Sequence, residues 1–358
     1  MVVAPGHAFS TLDVHNGLCA GLKANGVEVV EYPLMATLES MELIVGAARL
    51  LEIAPPGGYP DVYHMASMGV PGYAMAKQVE AVIVVHGLNV PASIPATLRR
   101  GGYTTALLCT ESPYQTDQEA QLAQFYDLVF TNERTAVTQF TNNRPDTVHY
   151  LPHAYNPLTH TPDGEQAASC DVFFAGTRFP ERAALFDSVD WTGITFVERS
   201  LDYQGDKPTA ALLAQITPND VTATYYRAAK ISVCHHRTTA HAGTGDHIAY
   251  AESLNPRCYE APACGGFLIS DARAELFDIY GDCVPTYTDS ASLGRVVRYY
   301  LAHDEERDAL RLRQRAAIAA HSWTARARQV LHALAVHRTR TLEDTSWRQT
   351  LAPMPLSI

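Results

Sequence analysis

Apolar residues along this chain fall in short strand-length runs, separated by longer stretches where they recur at helical spacing. In the first half the runs cover residues 2–4, 27–32, 82–86, 105–109, 128–131 and 147–151, most of them rich in Val, Thr, Phe and Tyr. Between the first two, residues 11–25 predict an amphipathic helix that Gly26 ends. Asp13 lies in the first turn of that helix, where a carboxylate suits the positive end of the helix dipole. Strands alternating with helices in this way predict parallel α/β layers.

The segment LPHAYNPLTHTPDGE, residues 151–165, is rich in Pro, Asn, Thr and Gly and has no apolar period, so it marks a domain boundary. Beyond it the alternation restarts. Strands are predicted at 171–175, 194–197, 231–234, 267–270 and 283–286, and helices at 181–189, 219–230, 290–302 and 305–334. The predicted division is a first domain over 1–153, a second over 154–334, and a tail over 335–358 that packs back toward the first.

Composition agrees with two ordered domains. At 358 residues, with 47% hydrophobic and 18% charged residues, the chain can fill two cores. No apolar run reaches the roughly 18–20 residues of a membrane span, and the N-terminus carries no basic leader, so a soluble cytoplasmic protein is expected. The seven cysteines are odd in number and never spaced C-x-x-C, which predicts reduced, buried thiols rather than disulfides or a thiolate zinc site. A net charge of −11 disfavours a chain whose whole surface grips nucleic acid. Eight arginines and no lysine between residues 307 and 340 leave one basic segment as an exception.

Candidate chemistry concentrates in AESLNPRCYEAPACGGFLISD, residues 251–271. Glu252 and Glu260 are separated by seven residues, with Asn-Pro-Arg before the second and Gly-Gly and a strand after it. Pro256 suits a helix start, Leu254 and Asn255 lie just ahead of it, and backbone N–H groups at such a start suit a phosphate. Arg257 adds a planar, bidentate donor suited to phosphate. Glu260, on the helix, can accept the two hydroxyls of a ribose.

This pattern resembles the E-x7-E segment of nucleotide-sugar-dependent glycosyltransferases of the GT-B architecture, in which two Rossmann-like domains face each other across a cleft. The run from Glu252 through Asp271 is similar to the CgeB-like subgroup of group 1 glycosyl transferases, and YDLVFTNE, YLPHAYNP and DVFFAGTRFPER match that subgroup more weakly and in order. The resemblance implies that Glu252 faces the donor sugar and Glu260 the ribose, with Gly176, Thr177 and Arg178 near the donor phosphates and Arg257 opposite. The alternative for Arg178 is a surface salt bridge. Ser253, Leu254 and Asn255 follow Glu252 where retaining relatives carry glycine and phenylalanine, which makes the role of Glu252 weaker than that of Glu260.

In the first domain, HGLNVP and TESPY each follow a predicted strand, which places His86 and Glu111 at the cleft as candidate bases for an acceptor hydroxyl. His153 belongs to the linker side of the cleft. The histidines at 235, 236, 241 and 247 sit in a predicted loop, and no metal site is expected from their spacing. No D-x-D triplet occurs, which fits a metal-independent enzyme.

The implied activity is hexosyl or pentosyl transfer with retention. It requires a nucleotide-diphosphate sugar as co-substrate and no cofactor. The hydroxyl acceptor would be a saccharide, a small molecule, a protein or a modified DNA base. Two alternatives are a transferase acting on hydroxylated bases in DNA and a non-catalytic nucleotide- or carbohydrate-binding protein of the same frame.

Overall fold

The computed structural model describes residues 1–6, 11–53, 58, 61–141, 145–201, 216–238 and 251–349. Two all-parallel sheets organise them. The first runs β1 (Val2–Val3), β2 (Glu31–Tyr32), β3 (Ala81–Val85), β4 (Thr104–Leu108), β5 (Leu128–Thr131) and β6 (Val148–Tyr150), in spatial order β2-β1-β3-β4-β5-β6. The second runs β7 (Cys170–Thr177), β8 (Phe196–Leu201), β9 (Ala229–Cys234), β10 (Leu268–Asp271) and β11 (Thr286–Tyr287), in order β11-β10-β9-β7-β8.

Helices α1 (Leu12–Ala24), α2 (Leu34–Leu50), α3 (Val62–Ser67), α4 (Gly69–Ala76), α5 (Ser93–Arg100), α6 (Thr116–Ala123) and α7 (Val137–Thr141) accompany the first sheet. With the second come α8 (Pro180–Asp187), α9 (Asn219–Ala228), α10 (Arg257–Ala263), α11 (Ala274–Tyr280), α12 (Ser290–Ala302) and α13 (Asp304–Ala317). The last helix is α14 (Trp323–Gln349).

The central strands are mostly apolar because both of their faces are covered, as parallel sheets require, whereas the edge strands β2 and β8 carry Glu31, Glu198 and Arg199. Alternation still assigns each side chain to one face: Val82, Val84, Leu107 and Val129 join the core under α2, α4 and α5, whereas Ile83, Val85, Leu108 and Phe130 join the core under α1 and α14. In each sheet the order reverses beside the first strand, between β1 and β3 and between β7 and β9. Ligands of open parallel sheets bind at such switch points, outside the C-terminal strand ends.

Most predicted strands agree with the structure to within a residue or two. The run 27–32 pairs only over Glu31–Tyr32, because its neighbour β1 offers just two residues. The strand expected at 194–197 lies instead at Phe196–Leu201, paired with Val172–Thr177 of β7. Between β2 and β3, where no element was expected, the described residues form the helices α2, α3 and α4.

The helix expected over 305–334 is two helices, broken between Ala317 and Trp323. That break returns the chain to the first domain. The buried face of α14 is Trp323, Ala327, Val330, Ala333 and Leu334, all within the core of the first sheet, so the crossing precedes the expected tail at 335 by about three turns. Gly17 and Gly21 of α1 admit it. A Cβ on Gly17 would lie 2.2 Å from the Trp323 ring, and one on Gly21 would lie 2.3 Å from the Trp323 carbonyl oxygen.

Candidate active site

A cleft lies between the C-terminal strand ends of the two sheets, lined by residues that follow β1, β4, β5 and β6 on one wall and β7, β8 and β9 on the other. On the second-domain wall β7 ends in Gly176 and Thr177, and Pro180 then starts α8 at the position proline tolerates best. Arg182, in the first turn of α8, is buried. Its Nε donates to the His235 carbonyl at 2.9 Å and its Nη1 to the Thr177 carbonyl at 2.8 Å. From the other side, Nε of Arg257, the first residue of α10, donates to the Ala175 carbonyl. Gly176 separates the two arginines: a Cβ there would stand 3.2 Å from Arg182 Nη1 and 3.4 Å from Arg257 Nε.

Neither guanidinium has a carboxylate partner among the described residues. Burial and then the neighbouring charge of Arg257 push Arg182 down to about 10, still fully charged at neutral pH. Two cations bonded only to carbonyls and facing an open cleft make an anion site.

Glu260 sits one turn after Arg257, buried at the cleft edge. Its Oε1 is 3.4 Å from Asn219 Nδ2 and 4.0 Å from His160 Nε2. The His160 Nε2 and the Tyr226 hydroxyl beside it are buried without a hydrogen-bond partner among the described residues. Unsatisfied polar atoms around a carboxylate at a cleft edge are what a polyhydroxylated ligand would complete. Gly265 (φ 78°) ends α10, and at Gly266 a Cβ would come within 2.9 Å of the Tyr226 carbonyl, so the Gly-Gly pair lets α10 lie close against α9.

Leu254 and Asn255 line the cleft, but their N–H groups are taken. Leu254 N–H donates to Glu275 at 2.6 Å and Asn255 N–H to His236 Nε2 at 3.2 Å. These bonds hold the loop in place.

On the first-domain wall, Asp13 is exposed to the solvent of the cleft and faces the second-domain wall. Desolvation, reinforced by the charge of Glu260 across the cleft and offset by Arg257, raises its pKa to about 7. The dipole argument from sequence therefore understates it, because what sets Asp13 apart is the facing wall. Glu111 also lines the cleft, 3.1 Å from Arg237 Nη2 of the second domain. His153 is buried in the cleft wall and uncharged, pushed down to about 4 by burial and then by Arg257 and Arg326.

Three expected positions lie elsewhere. His86 is buried behind the cleft wall, with Nδ1 2.9 Å from Thr110 Oγ1, and burial lowers its pKa. Arg178 points away from Gly176 and pairs with Asp187 and Glu198 at 2.5 Å each, the salt-bridge alternative. Glu252 turns out to Arg134 at 2.5 Å, because Glu133 draws its backbone N–H, and that of Ser253, toward the first domain. Of the four loop histidines, His241 and His247 lie outside the described residues; His235 is half-buried against Tyr287, and desolvation pushes it down to about 4.

Residues 181–332 match a family model described as glycosyl transferase-like. No curated protein matches the chain. Sucrose-phosphate synthase from Thermosynechococcus elongatus superimposes with a TM-score of 0.59 at 12% identity, covering 95% of this chain and 99% of its own. A trehalose-6-phosphate protein from E. coli bound with UDP-2-fluoro glucose gives 0.57 at 11% identity, covering 93% and 98%. A protein assigned as a UDP-N-acetylglucosamine 2-epimerase from Listeria monocytogenes gives 0.52 at 11%, covering 100% and 98%. The fold is GT-B.

Within the GT-B frame the family match takes in Arg182, Arg257 and Glu260 but leaves out the first-domain wall. The two walls are also bonded to each other. Arg237 lies 3.6 Å over the Tyr114 ring, the Tyr114 hydroxyl donates to the Arg237 carbonyl at 2.9 Å, and the Tyr150 hydroxyl reaches Ser253 Oγ at 2.9 Å and Glu275. The GT-B cleft thus gathers Gly176, Thr177, Leu254, Asn255, Arg257, Glu260, Glu111 and His153 from the sequence-derived set and adds Asp13, Arg182 and Arg237. Arg182 closes the DVFFAGTRFPER segment but Arg178 drew the assignment there, and Arg237 lies in no motif.

Proposed function

We propose that this protein is a glycosyltransferase that moves a sugar from a nucleoside-diphosphate sugar to a hydroxyl acceptor. The observation that carries this is the pair Arg182 and Arg257, held on either side of Gly176 at the end of β7, without carboxylate partners among the described residues and beside Glu260. In this proposal the guanidiniums neutralise the diphosphate as it leaves, and Glu260 accepts the ribose hydroxyls. Asp13, facing them from the other domain, holds the acceptor hydroxyl. The similarity of residues 181–332 to a glycosyl transferase-like model supports a transferase over the other activities this fold hosts. The E-x7-E resemblance favours retention, with the leaving phosphate taking the acceptor proton from the same face. Because arginines supply the positive charge, transfer proceeds without added magnesium or manganese.

A thermal-shift screen of uridine, guanosine, thymidine and adenosine diphosphate sugars identifies the donor, since a ligand that binds only the folded state raises the melting temperature. With that donor and a panel of hydroxyl acceptors, a transferase releases nucleoside diphosphate and glycosylates the acceptor. A pure binder is stabilised without release, and an epimerase alters the sugar while it stays attached; either result would overturn the proposal. The anomeric coupling in the product, read by NMR, tests retention separately. An inverted product would make Asp13 the base.

A further inference from the structure

Behind the donor wall, the thiols of Cys234, at the end of β9, and Cys258, in the first turn of α10, stand 3.3 Å apart and fully buried. A disulfide requires about 2.05 Å. Two thiolates on one tetrahedral zinc, at about 2.3 Å each, stand about 3.8 Å apart, and the observed separation is nearer this value. His236 Nε2 lies 3.9 Å from Cys258 Sγ, against about 3.6 Å for sulfur and nitrogen on one such ion. All three ligand atoms lie within 4.8 Å of one another.

We propose that Cys234, His236 and Cys258 bind one metal ion of the zinc class, at a structural site that pins the end of β9 to the start of α10. Each ligand is fixed from behind. His236 presents its other nitrogen, Nδ1, to Asp271 at 2.8 Å, and Asp271 also accepts the His236 backbone N–H at 2.9 Å. A carboxylate on the far nitrogen orients a metal-binding imidazole and fixes its tautomer. Pro262 has no N–H for the Cys258 carbonyl one turn earlier, and the Tyr280 hydroxyl donates to it instead. The Tyr287 hydroxyl holds the Cys234 carbonyl at 2.7 Å.

The fourth position falls to the Asn255 side chain, whose Oδ1 is 3.4 Å from Cys234 Sγ. The ion displaces the Asn255 N–H from His236 Nε2, and it enters from the cleft, which His236 and Asn255 both line. Two thiolates and an imidazole select a soft or borderline ion over magnesium or calcium. The other grouping of this kind among the described residues, His15, Cys19 and Glu31, differs decisively. There the Lys23 ammonium already stands 2.9 Å from Glu31. The scattered cysteine spacing conceals the site, because 24 residues of chain separate its two thiols.

The site is independent of sugar transfer, and its test uses no sugar. The full chain, purified under reducing conditions, is expected to carry one equivalent of zinc by elemental mass spectrometry. Cobalt added to the zinc-free protein should give the near-ultraviolet thiolate-to-cobalt absorption. Cys258→Ser should lose both, and Asp271→Asn, which leaves the three ligands in place, should weaken zinc binding about 10- to 100-fold. The cobalt measurement needs only the wild-type chain, so it decides even if the serine variant fails to fold. No thiolate-to-cobalt band, zinc retained when both cysteines are replaced, or a metal-free protein whose 234 and 258 peptides are disulfide-linked would each overturn the proposal.

Discussion

Arg178 and Arg182 lie one helical turn apart in sequence and have opposite fates. Arg178 follows the strand end directly, yet Asp187 and Glu198 draw it onto the surface, while the first turn of α8 carries Arg182 inward beneath Phe179 and against Gly176. A motif locates the loop, but which arginine enters the cleft depends on carboxylates contributed by a helix and by the neighbouring strand. For donor binding measured by calorimetry, Arg178→Ala is expected to be nearly neutral. Arg257→Ala removes a charge-assisted contact worth roughly 1.5–3 kcal/mol and should weaken binding about 10- to 100-fold.

Asp13 carries a second residue-scale prediction. Its pKa is raised from the ordinary carboxylate value to about 7, so kcat/KM should rise with pH through an inflection near 7 that Asp13→Asn removes. Stability should move the other way. The protonated carboxyl is the form the fold prefers, so the stability Asp13 contributes is complete below its unfolded value near 4 and is lost as pH rises through 7. Asp13→Asn should therefore raise the melting temperature at pH 8 and not at pH 4.

At the scale of elements, strands are legible because β-branched, apolar runs buried on both faces have few other places to go. Helix ends are less so. Residues 305–334 have helical periodicity throughout, and the break after Ala317 is where Tyr155 bridges to the chain on either side of Ser322: Tyr155 N–H reaches the His321 carbonyl at 3.3 Å and Trp323 N–H the Tyr155 carbonyl at 2.9 Å. That partner lies more than 150 residues away, so local periodicity carries no sign of it. Likewise Gly17 and Gly21, interior to a helix where glycine is unfavourable, are explained only by the closeness of α14. Gly21→Ala should destabilise the fold by about 1–3 kcal/mol through overpacking against the Trp323 backbone, despite alanine's better helix propensity. Urea unfolding would show it as a lower midpoint with an unchanged slope.

Over the whole molecule, charge that is conspicuous in sequence becomes ordinary in space. Arg307, Arg311, Arg313, Arg338 and Arg340 are each paired with an aspartate or glutamate, so much of the charge of the arginine-rich segment is neutralised within the fold. This favours a saccharide, small-molecule or protein hydroxyl as acceptor over a modified base. Salt dependence gives the check: retention on DNA at low ionic strength with a steep loss as salt rises would reverse that preference. No described helix is long and apolar enough to cross a membrane.

The two connections between domains are also tied to each other, since Arg326 of α14 donates to the carbonyls of Pro152 and His153 in the first crossing. One consequence concerns the order in which the protein is made. A nascent chain normally completes its N-terminal domain first. Here the core that Leu18 and Leu22 of α1 form with Ile83, Val85 and Phe130 of the sheet stays open on one side until Trp323 and the turns after it leave the ribosome. The second domain, encoded in between, is free to fold while the first still waits for its last helix, and a chain halted before Trp323 should remain aggregation-prone however long it is given.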